Sequence, residues 1–512
     1  MNIYIVIFII YFLVIIGTSI AGAKKVESME DFAVGGNKMG LWIGVGTSVA
    51  TWLSVASVMG VPGNIYSRGV CAVFGWIVGW LFSNVMHIAI AYKIRRPAVP
   101  TRTFPEFVQA RYDIHSDKSP IRIGVAVFEL LGYFVFSFIQ VQGFGIVLST
   151  ISGLSYNVCC CLFMVVLVFT CFGGMESVAR TDCANAIIIL IGVICGMVTA
   201  LHLAGGFNEA VQNFITTTAP TFEGGEPLVA GVLGSKWGAF GASAIISTFL
   251  SNSFGAAVAP HWIARFMAPK NAKTAALQTF IEIPVVSIVL GCLAVVGICG
   301  KTILPSLPEG ITTDYMFPTL IMNYLNPVLG ALALTAICAA AVSTANSMLL
   351  HCSTSLVYDI VRPMTSSGVA TAEEDAKTTK LLRLWILLIG LLAVLGAIAQ
   401  FSLLADGFTY VYGAFGSVFF AITVGGIFFK RMNRPAAWAS MLTGFAMYLY
   451  CNICGAPFGL PTFLVSAGLS CIVAAIVAAC TKAPELECYE AYFTDHPSKE
   501  TIVALKRLRR EA

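Results

Sequence analysis

Charge is what this chain has least of. Asp, Glu, Lys and Arg together make up 11% of its 512 residues, where a soluble domain carries roughly 25%. That little charge cannot cover the surface of a soluble fold of this length. Metal-ligand spacing is also missing, and the sixteen cysteines are scattered through apolar runs, as small buried hydrophobes are. No nucleophile and base converge in the pattern of His, Asp and Glu, so an intramembrane enzyme is disfavoured. No selectivity-filter sequence marks a channel, and no segment outside the apolar runs has the length of a catalytic domain. No nucleic-acid partner and no organic cofactor are expected.

What the chain has instead is apolar length, with 58% hydrophobic residues. Runs of about eighteen or more recur from end to end, each able to cross roughly 30 Å of hydrocarbon. A backbone in lipid must satisfy its own hydrogen bonds, so the runs are helices or barrel strands. Strands would alternate apolar and polar over about ten residues. These runs do not, and an all-α polytopic membrane protein in a lipid bilayer is expected.

Thirteen spans are expected, with cores near 3–22, 41–63, 71–92, 123–147, 154–173, 182–204, 237–257, 274–298, 325–350, 382–401, 407–429, 435–452 and 461–480. The first run lacks a basic leader and is read as a retained span. Residues 1–480 then form one transmembrane domain, with 481–512 as a polar cytoplasmic tail. With the N-terminus outside, twenty-seven of the thirty Lys and Arg fall in inside segments, leaving Arg68, Lys236 and Lys301 outside. Cytoplasmic loops are the basic ones, so a plasma-membrane protein with a cytoplasmic C-terminus is expected. The segment 258–273 counts here as one of the inside loops.

Two spans carry breaks. Gly44 to Ser54 followed by Met59-Gly60-Val61-Pro62-Gly63 interrupts the second, and Ser251-Asn252-Ser253-Phe254-Gly255 before Pro260 interrupts the seventh. Such residues let a helix unwind where its carbonyls line a cavity. The breaks lie five spans apart, so they open two five-helix halves of opposite orientation, about 41–204 and 237–429. Paired breaks in inverted repeats point to a midplane site in secondary transporters.

The ninth span sets Ala340, Ser343, Thr344 and Ser347 on one helical face. Close packing of helices explains such a face, and so does an oxygen cage for a hard cation such as sodium. The residues alone leave both readings open. Buried ionisable groups are few: Glu129, Asp182 and Glu282 are the carboxylates inside spans, and such groups are functional candidates.

The chain resembles the sodium:solute symporter family over roughly residues 30 to 430. The resemblance rests on Glu30 to Gly36, Ala50-Thr51-Trp52 with Met59 to Gly63, and Thr103-Phe104-Pro105-Glu106-Phe107 with Arg111-Tyr112. It continues through Gly173-Gly174-Met175 with Ala179 to Asp182, Pro260 to Ala268, and Ala341 to Ser347. It implies an inverted-repeat bundle with one extra N-terminal helix and at least two C-terminal ones, and sodium-driven uptake of a small organic solute. The family's sodium site maps to the carbonyls of Ala50, Leu53 and Ala340 and the hydroxyls of Ser343 and Thr344. A second sodium is matched in type by Asp182, Ser343 and Ser347, with Asn346 where a serine can occur.

Solute contacts are expected from Thr51, Trp52, Ser54 and Val55 at the first break, Asn252, Ser253 and Phe254 at the second, and Gln140 and Tyr410. Sodium/proline symporters differ at Trp52, Asn37, Asn252 and Ala256, whereas Ala50-Thr51-Trp52 is closer to pantothenate-, monocarboxylate- or choline-type members. A carboxylate, amino acid or vitamin-like solute is expected. A proton-coupled carrier and a transporter-like membrane sensor are the alternatives, and the tail is too short for a signalling domain.

Overall fold

The computed structural model describes residues 3–23, 37–170, 174–365, 372–399 and 403–509. The motif at Glu30 to Gly36 and the residue Gly173 lie outside the described residues. Among the described residues there is no strand, only two isolated bridges.

Helix α1 spans Ile3–Ala23. The first half follows as α2 (Leu41–Trp52) and α3 (Val61–Arg68), then α4 (Val73–Ile94), α5 (Phe104–Tyr112), α6 (Pro120–Ser152), α7 (Tyr156–Thr170) and α8 (Gly174–Leu203). A surface helix, α9 (Phe207–Thr216), leads to the second half. That half holds α10 (Ala242–Leu250), α11 (Pro260–Met267), α12 (Ala272–Ile303), α13 (Met316–Tyr324), α14 (Pro327–Thr365), α15 (Ala372–Ile398) and α16 (Leu404–Phe428). Helices α17 (Arg434–Cys454), α18 (Thr462–Cys480), α19 (Leu486–Phe493) and α20 (Lys499–Leu508) complete the chain.

Helix starts are written in the sequence. Thr103, Asn271 and Asn433 accept from the amides of Glu106, Thr274 and Ala436 at 3.1, 2.8 and 3.1 Å, the N-cap geometry that satisfies otherwise orphaned donors. Pro105, Pro120, Pro260, Pro327 and Pro435 sit in first turns, where a missing N–H costs nothing. Leu131, Ile187, Ile191 and Leu395 remain exposed on the outer helix faces, as hydrocarbon contact requires.

By length and apolar composition, nine described helices can cross a membrane, ten if the 45° bend between Leu41–Trp52 and Ala56–Arg68 lies within one span. That is fewer than thirteen. Ile3–Gly17 and Tyr156–Val168 are apolar but short. Both breaks lie where the sequence put them. Between α2 and α3, and between α10 and α11, the chain opens into wide five-residue turns at Ala56–Gly60 and Ser251–Gly255. One expectation is corrected: Pro260–Met267 is a wholly buried helix within the span Ala242–Met267, not a loop. Proline at its start licenses the helix, and the apolar Trp262-Ile263-Ala264 run with Phe266 and Met267 buries it.

Glycine permits the second break to close on its neighbour. A Cβ on Gly255 would meet the Tyr412 carbonyl oxygen at 2.0 Å.

Residues 481–509 are not a loose tail. Arg96 Nε donates to Asp495 at 2.8 Å and Lys93 Nζ to the Tyr492 carbonyl at 3.3 Å. Arg102 donates to the Arg509 carbonyl at 3.1 Å, and Arg509 to the Pro100 carbonyl at 2.8 Å. Helices α19 and α20 thus strap the end of the bundle formed by residues 93–119, called here the tail face.

Replacing Gly255 by Ala inserts a methyl against backbone. We expect a loss of about 1–3 kcal/mol, read as a lower unfolding midpoint in detergent. Gly468→Ala, where nothing lies within 4 Å of the added carbon, should leave the midpoint unchanged or raise it.

Candidate functional site

The first break releases backbone oxygen. Leu53 leaves the helical region at φ −87°, ψ 48°, and among the described backbone bonds none runs from Ser54 N to the Ala50 carbonyl. Bonding resumes when Ser57 and Val58 donate to the Ser54 carbonyl at 3.2 and 3.0 Å. Ser57 Oγ meanwhile donates to the Trp52 carbonyl at 2.5 Å. The Ala50 carbonyl is therefore outside the helix ladder, and a polar group buried without a partner is costly.

One carboxylate ties the break to two other helices. Asp182, in α8 and 2% exposed, accepts from Thr47 Oγ1 of α2 at 2.6 Å. Its second oxygen accepts a short hydrogen bond from Ser343 Oγ of α14. Ser343 gives its proton to Asp182, so the hydroxyl lone pairs stay available to a cation. Thr344 beside it is buried. Ser347, one turn further along α14, accepts from Arg265 Nη2 of α11 at 3.4 Å.

The two breaks meet through aromatic rings. Trp52 stacks on Trp262 at 4.6 Å and lies 5.9 Å from Trp80. Trp80 Nε1 donates to Asn252 Oδ1 at 3.0 Å, and Asn252 Nδ2 donates to the Gly75 carbonyl at 3.1 Å. Glu282 of α12, wholly buried, faces Ser48, Trp52 and Arg265. Both amide atoms of Gln140 and the Ser253 hydroxyl are buried without a partner, as expected of groups awaiting a polar ligand. Val55 is buried and packs where a side chain on Gly143 would stand.

Of the expected solute residues, two stand apart. Phe254 packs into a cluster with Phe82, Phe420 and Phe463. Tyr410 is 45% exposed and lines an outer cleft with Phe128, Phe445 and Tyr448. The helical turn carries each one past the break's inner side, which spacing alone could not reveal. Conversely, Thr47, Arg265, His261 and Trp262 join the centre although the sequence did not single them out as ligands. The His261/Arg265 spacing of four was the available signal, hidden by reading 258–273 as a loop.

Ion pairs hold each end. Arg68 grips Asp406 through two bonds of 2.7 and 2.6 Å, with its guanidinium 4.4 Å above the Phe240 ring. Asp314 accepts from the Leu404 amide at 3.1 Å, and burial raises its carboxyl to about 7. At the tail face Arg122 pairs with Asp359 at 2.7 Å, and Thr103 donates to the same carboxylate at 2.8 Å. Tyr358 donates to Glu106 at 2.8 Å and accepts from Arg102 at 3.0 Å.

Two five-helix halves, each opened by a broken helix, with an oxygen-rich centre between the breaks, define a secondary transporter. The chain belongs to the sodium:solute symporter family, whose family model matches residues 32–444. It therefore couples solute import to sodium, and it is a transporter rather than an enzyme. The sodium/pantothenate symporter of Escherichia coli strain K12 is 24% identical over 456 residues, covering 86% of this chain and 88% of that protein. The osmoregulated proline transporter OpuE of Bacillus subtilis strain 168 is 26% identical over 493 residues, covering 94% and 96%. Among solved structures, a Na+-coupled sialic acid symporter in a substrate-bound outward-open state superposes with TM-score 0.74 at 18% identity, covering 95% of this chain and 99% of that one. Mhp1, a nucleobase-cation-symport-1 family transporter in a closed conformation, gives TM-score 0.59 at 13% identity over 91% and 98%. These likenesses show the fold.

Asp182→Ala leaves the Thr47 and Ser343 hydroxyls without their acceptor. The expected cost is about 1–3 kcal/mol for each stranded group, seen as a lower unfolding midpoint in detergent. Asp182→Asn, which still accepts from one hydroxyl, should fall between it and the parent.

Proposed function

We propose that sodium binds between the Ala50, Leu53 and Ala340 carbonyls and the Ser343 and Thr344 hydroxyls. The observation that carries this is the released Ala50 carbonyl on the helix whose Thr47 shares the Asp182 carboxylate with Ser343. All five proposed ligands are neutral oxygens, the donor set a hard monovalent cation prefers. A bound sodium would supply the charge that holds the broken end of α2 against α14. The second site at Asp182 and Ser347 is a weaker proposition, because the Arg265 guanidinium already donates to Ser347.

The solute site in this reading lies between Thr51, Trp52, Ser54 and Val55 at one break and Asn252 and Ser253 at the other, with Gln140 facing the gap. Phe254 and Tyr410 are left out on account of where their rings lie. Indole faces, unpartnered amide atoms and the Arg265 guanidinium suit a small organic solute bearing a carboxylate. The names of the relatives, symporters for pantothenate and proline, agree with that class. In this reading the N-terminus is outside and the tail face cytoplasmic, because basic residues gather on the tail side, and the membrane is the plasma membrane, as suits a family of solute importers. Alternating access then requires the Arg68–Asp406 clasp to hold one end while the Arg122–Asp359 clasp releases the other.

The test is uptake by purified protein in vesicles against labelled pantothenate, short monocarboxylates, proline and choline. Each is run with an inward sodium gradient and with potassium in its place. Ser343→Ala with Thr344→Ala should weaken sodium dependence about a hundredfold, taking roughly 1.4 kcal/mol for each lost ligand. Sodium-driven uptake that survives in the double variant sinks the sodium assignment. Uptake indifferent to sodium in the parent would move the coupling ion to protons.

A further inference from the structure

We propose that Glu129 and His351 form a proton-binding site on the tail side of the breaks, distinct from the sodium and solute sites. Glu129 sits inside α6 and is 3% exposed. Ser355 Oγ donates to its Oε2 at 2.8 Å. Among the described residues no lysine or arginine pairs with it. Arg122 is engaged by Asp359 and Gln109, and Arg102 by Tyr358 and the Arg509 carbonyl. A carboxylate buried in a membrane span without a counter-charge is costly, so this one must take a positive partner.

The surroundings decide which partner. A cavity of about 10 Å³ lies against Glu129, bounded by His351, Thr354 and Ser355, with Arg102, Thr103 and Phe104 toward the tail face and Ala264 of α11. That is room for about one water. His351 Nε2 and Thr354 Oγ1 are buried without a partner, so the water would have an imidazole, a hydroxyl and a carboxyl to bond. A sodium ion needs several oxygens around it, and the side chains bounding this cavity offer only the Glu129 carboxyl and the Thr354 and Ser355 hydroxyls, besides a Thr103 hydroxyl already bonded to Asp359. An unpartnered imidazole nitrogen can accept a proton in one tautomer and donate one in the other. The proton therefore joins the Glu129 carboxyl oxygen, and a water in the cavity would link it to His351.

Residues one helical turn apart build the site: Glu129 and Tyr133 on α6 face His351 and Ser355 on α14. The Tyr133 ring stacks on His351 at 5.4 Å and lies 6.1 Å from His261, the residue one turn before Arg265 on α11. A line of polar rings thus joins the cavity to the helix that touches Ser347. The other ionisable groups that face Glu129 are Tyr133 from its own helix and Asp359 and Cys352 from α14, with Arg102 in the cavity wall; Arg265 of α11 faces Tyr133, and Arg122 and Glu106 face Asp359.

The test is infrared difference spectroscopy on the full chain in lipid vesicles at neutral pH, in ordinary and heavy water. The parent should show the C=O stretch of a protonated carboxyl that moves on deuteration and is lost in Glu129→Gln. Ser355→Ala removes the donor to Oε2 and should shift the same band to higher frequency, which keeps the test open if the glutamine variant does not fold. No difference between the parent and either variant overturns the site. Loss of retained sodium-22 in Glu129→Gln, with no protonated-carboxyl band, overturns it in favour of a sodium site. Absence of sodium-driven uptake in the solute panel would leave the band in place, so the two readings fail separately.

Discussion

A helix interrupted in the middle of a membrane strands carbonyls where water cannot reach them, and the fold is arranged around answering that need. At the first break the answer is indirect. The released Ala50 carbonyl is not capped by another backbone group. Instead the turn before it is fastened through Thr47 to Asp182, and Asp182 in turn holds Ser343 on α14. Three helices from two repeats meet at two carboxylate oxygens, so moving one displaces the others' hydrogen bonds. At the second break the answer is direct. Asn252 spends its side-chain amide on Gly75 and on Thr409, at 3.1 and 3.2 Å, and its oxygen on Trp80. One break thereby keeps a carbonyl outside the helix ladder, while the other is fastened through the side chain of Asn252.

That asymmetry distributes charge as well. Asp182, Glu282 and Arg265 are all buried near the centre, and the two acids outnumber the base. Under the proposed sodium reading, a cation beside Ser343 would lie next to the Asp182 carboxyl, and its arrival and the settling of α2 onto α14 would favour each other. Coupling of this kind needs no long-range wire, only two arrangements of the same helices with different ion affinity.

Much of the plan was legible in the sequence. Uniform apolar runs and scarce charge gave an all-helical bundle, and the Gly, Pro and Ser clusters at 60–63 and 251–255 located both breaks. Asp182 and Ser343 were recognisable as candidates because a carboxylate and adjacent hydroxyls are rare inside spans. What escaped depended on geometry between helices. Nothing in the spacing of α2 says that Thr47 reaches across to α8. Tyr410 and Phe254 carry suitable chemistry, yet rotation of their helices turns the rings toward outer faces. Pro260–Met267 falls in the segment counted among the inside loops, yet it is a buried helix whose Trp262 stacks on Trp52 and whose Arg265 donates to Ser347. Among the described residues nine or ten spans follow from length and apolar composition, and the expected thirteen also draw on shorter apolar helices such as Tyr156–Thr170.

The strap at the tail face has an implication for how the protein is made. Arg102 and Arg509, hydrogen bonded to each other's neighbourhood, are 407 residues apart in sequence, and every membrane helix from α6 to α18 is synthesised between them. Residues 93–119 therefore leave the ribosome long before their partners on α19 and α20 exist, and their arginines must wait in solvent while the bundle inserts. Closure of that face is a late event in biogenesis, dependent on the arrival of a segment that never enters the bilayer.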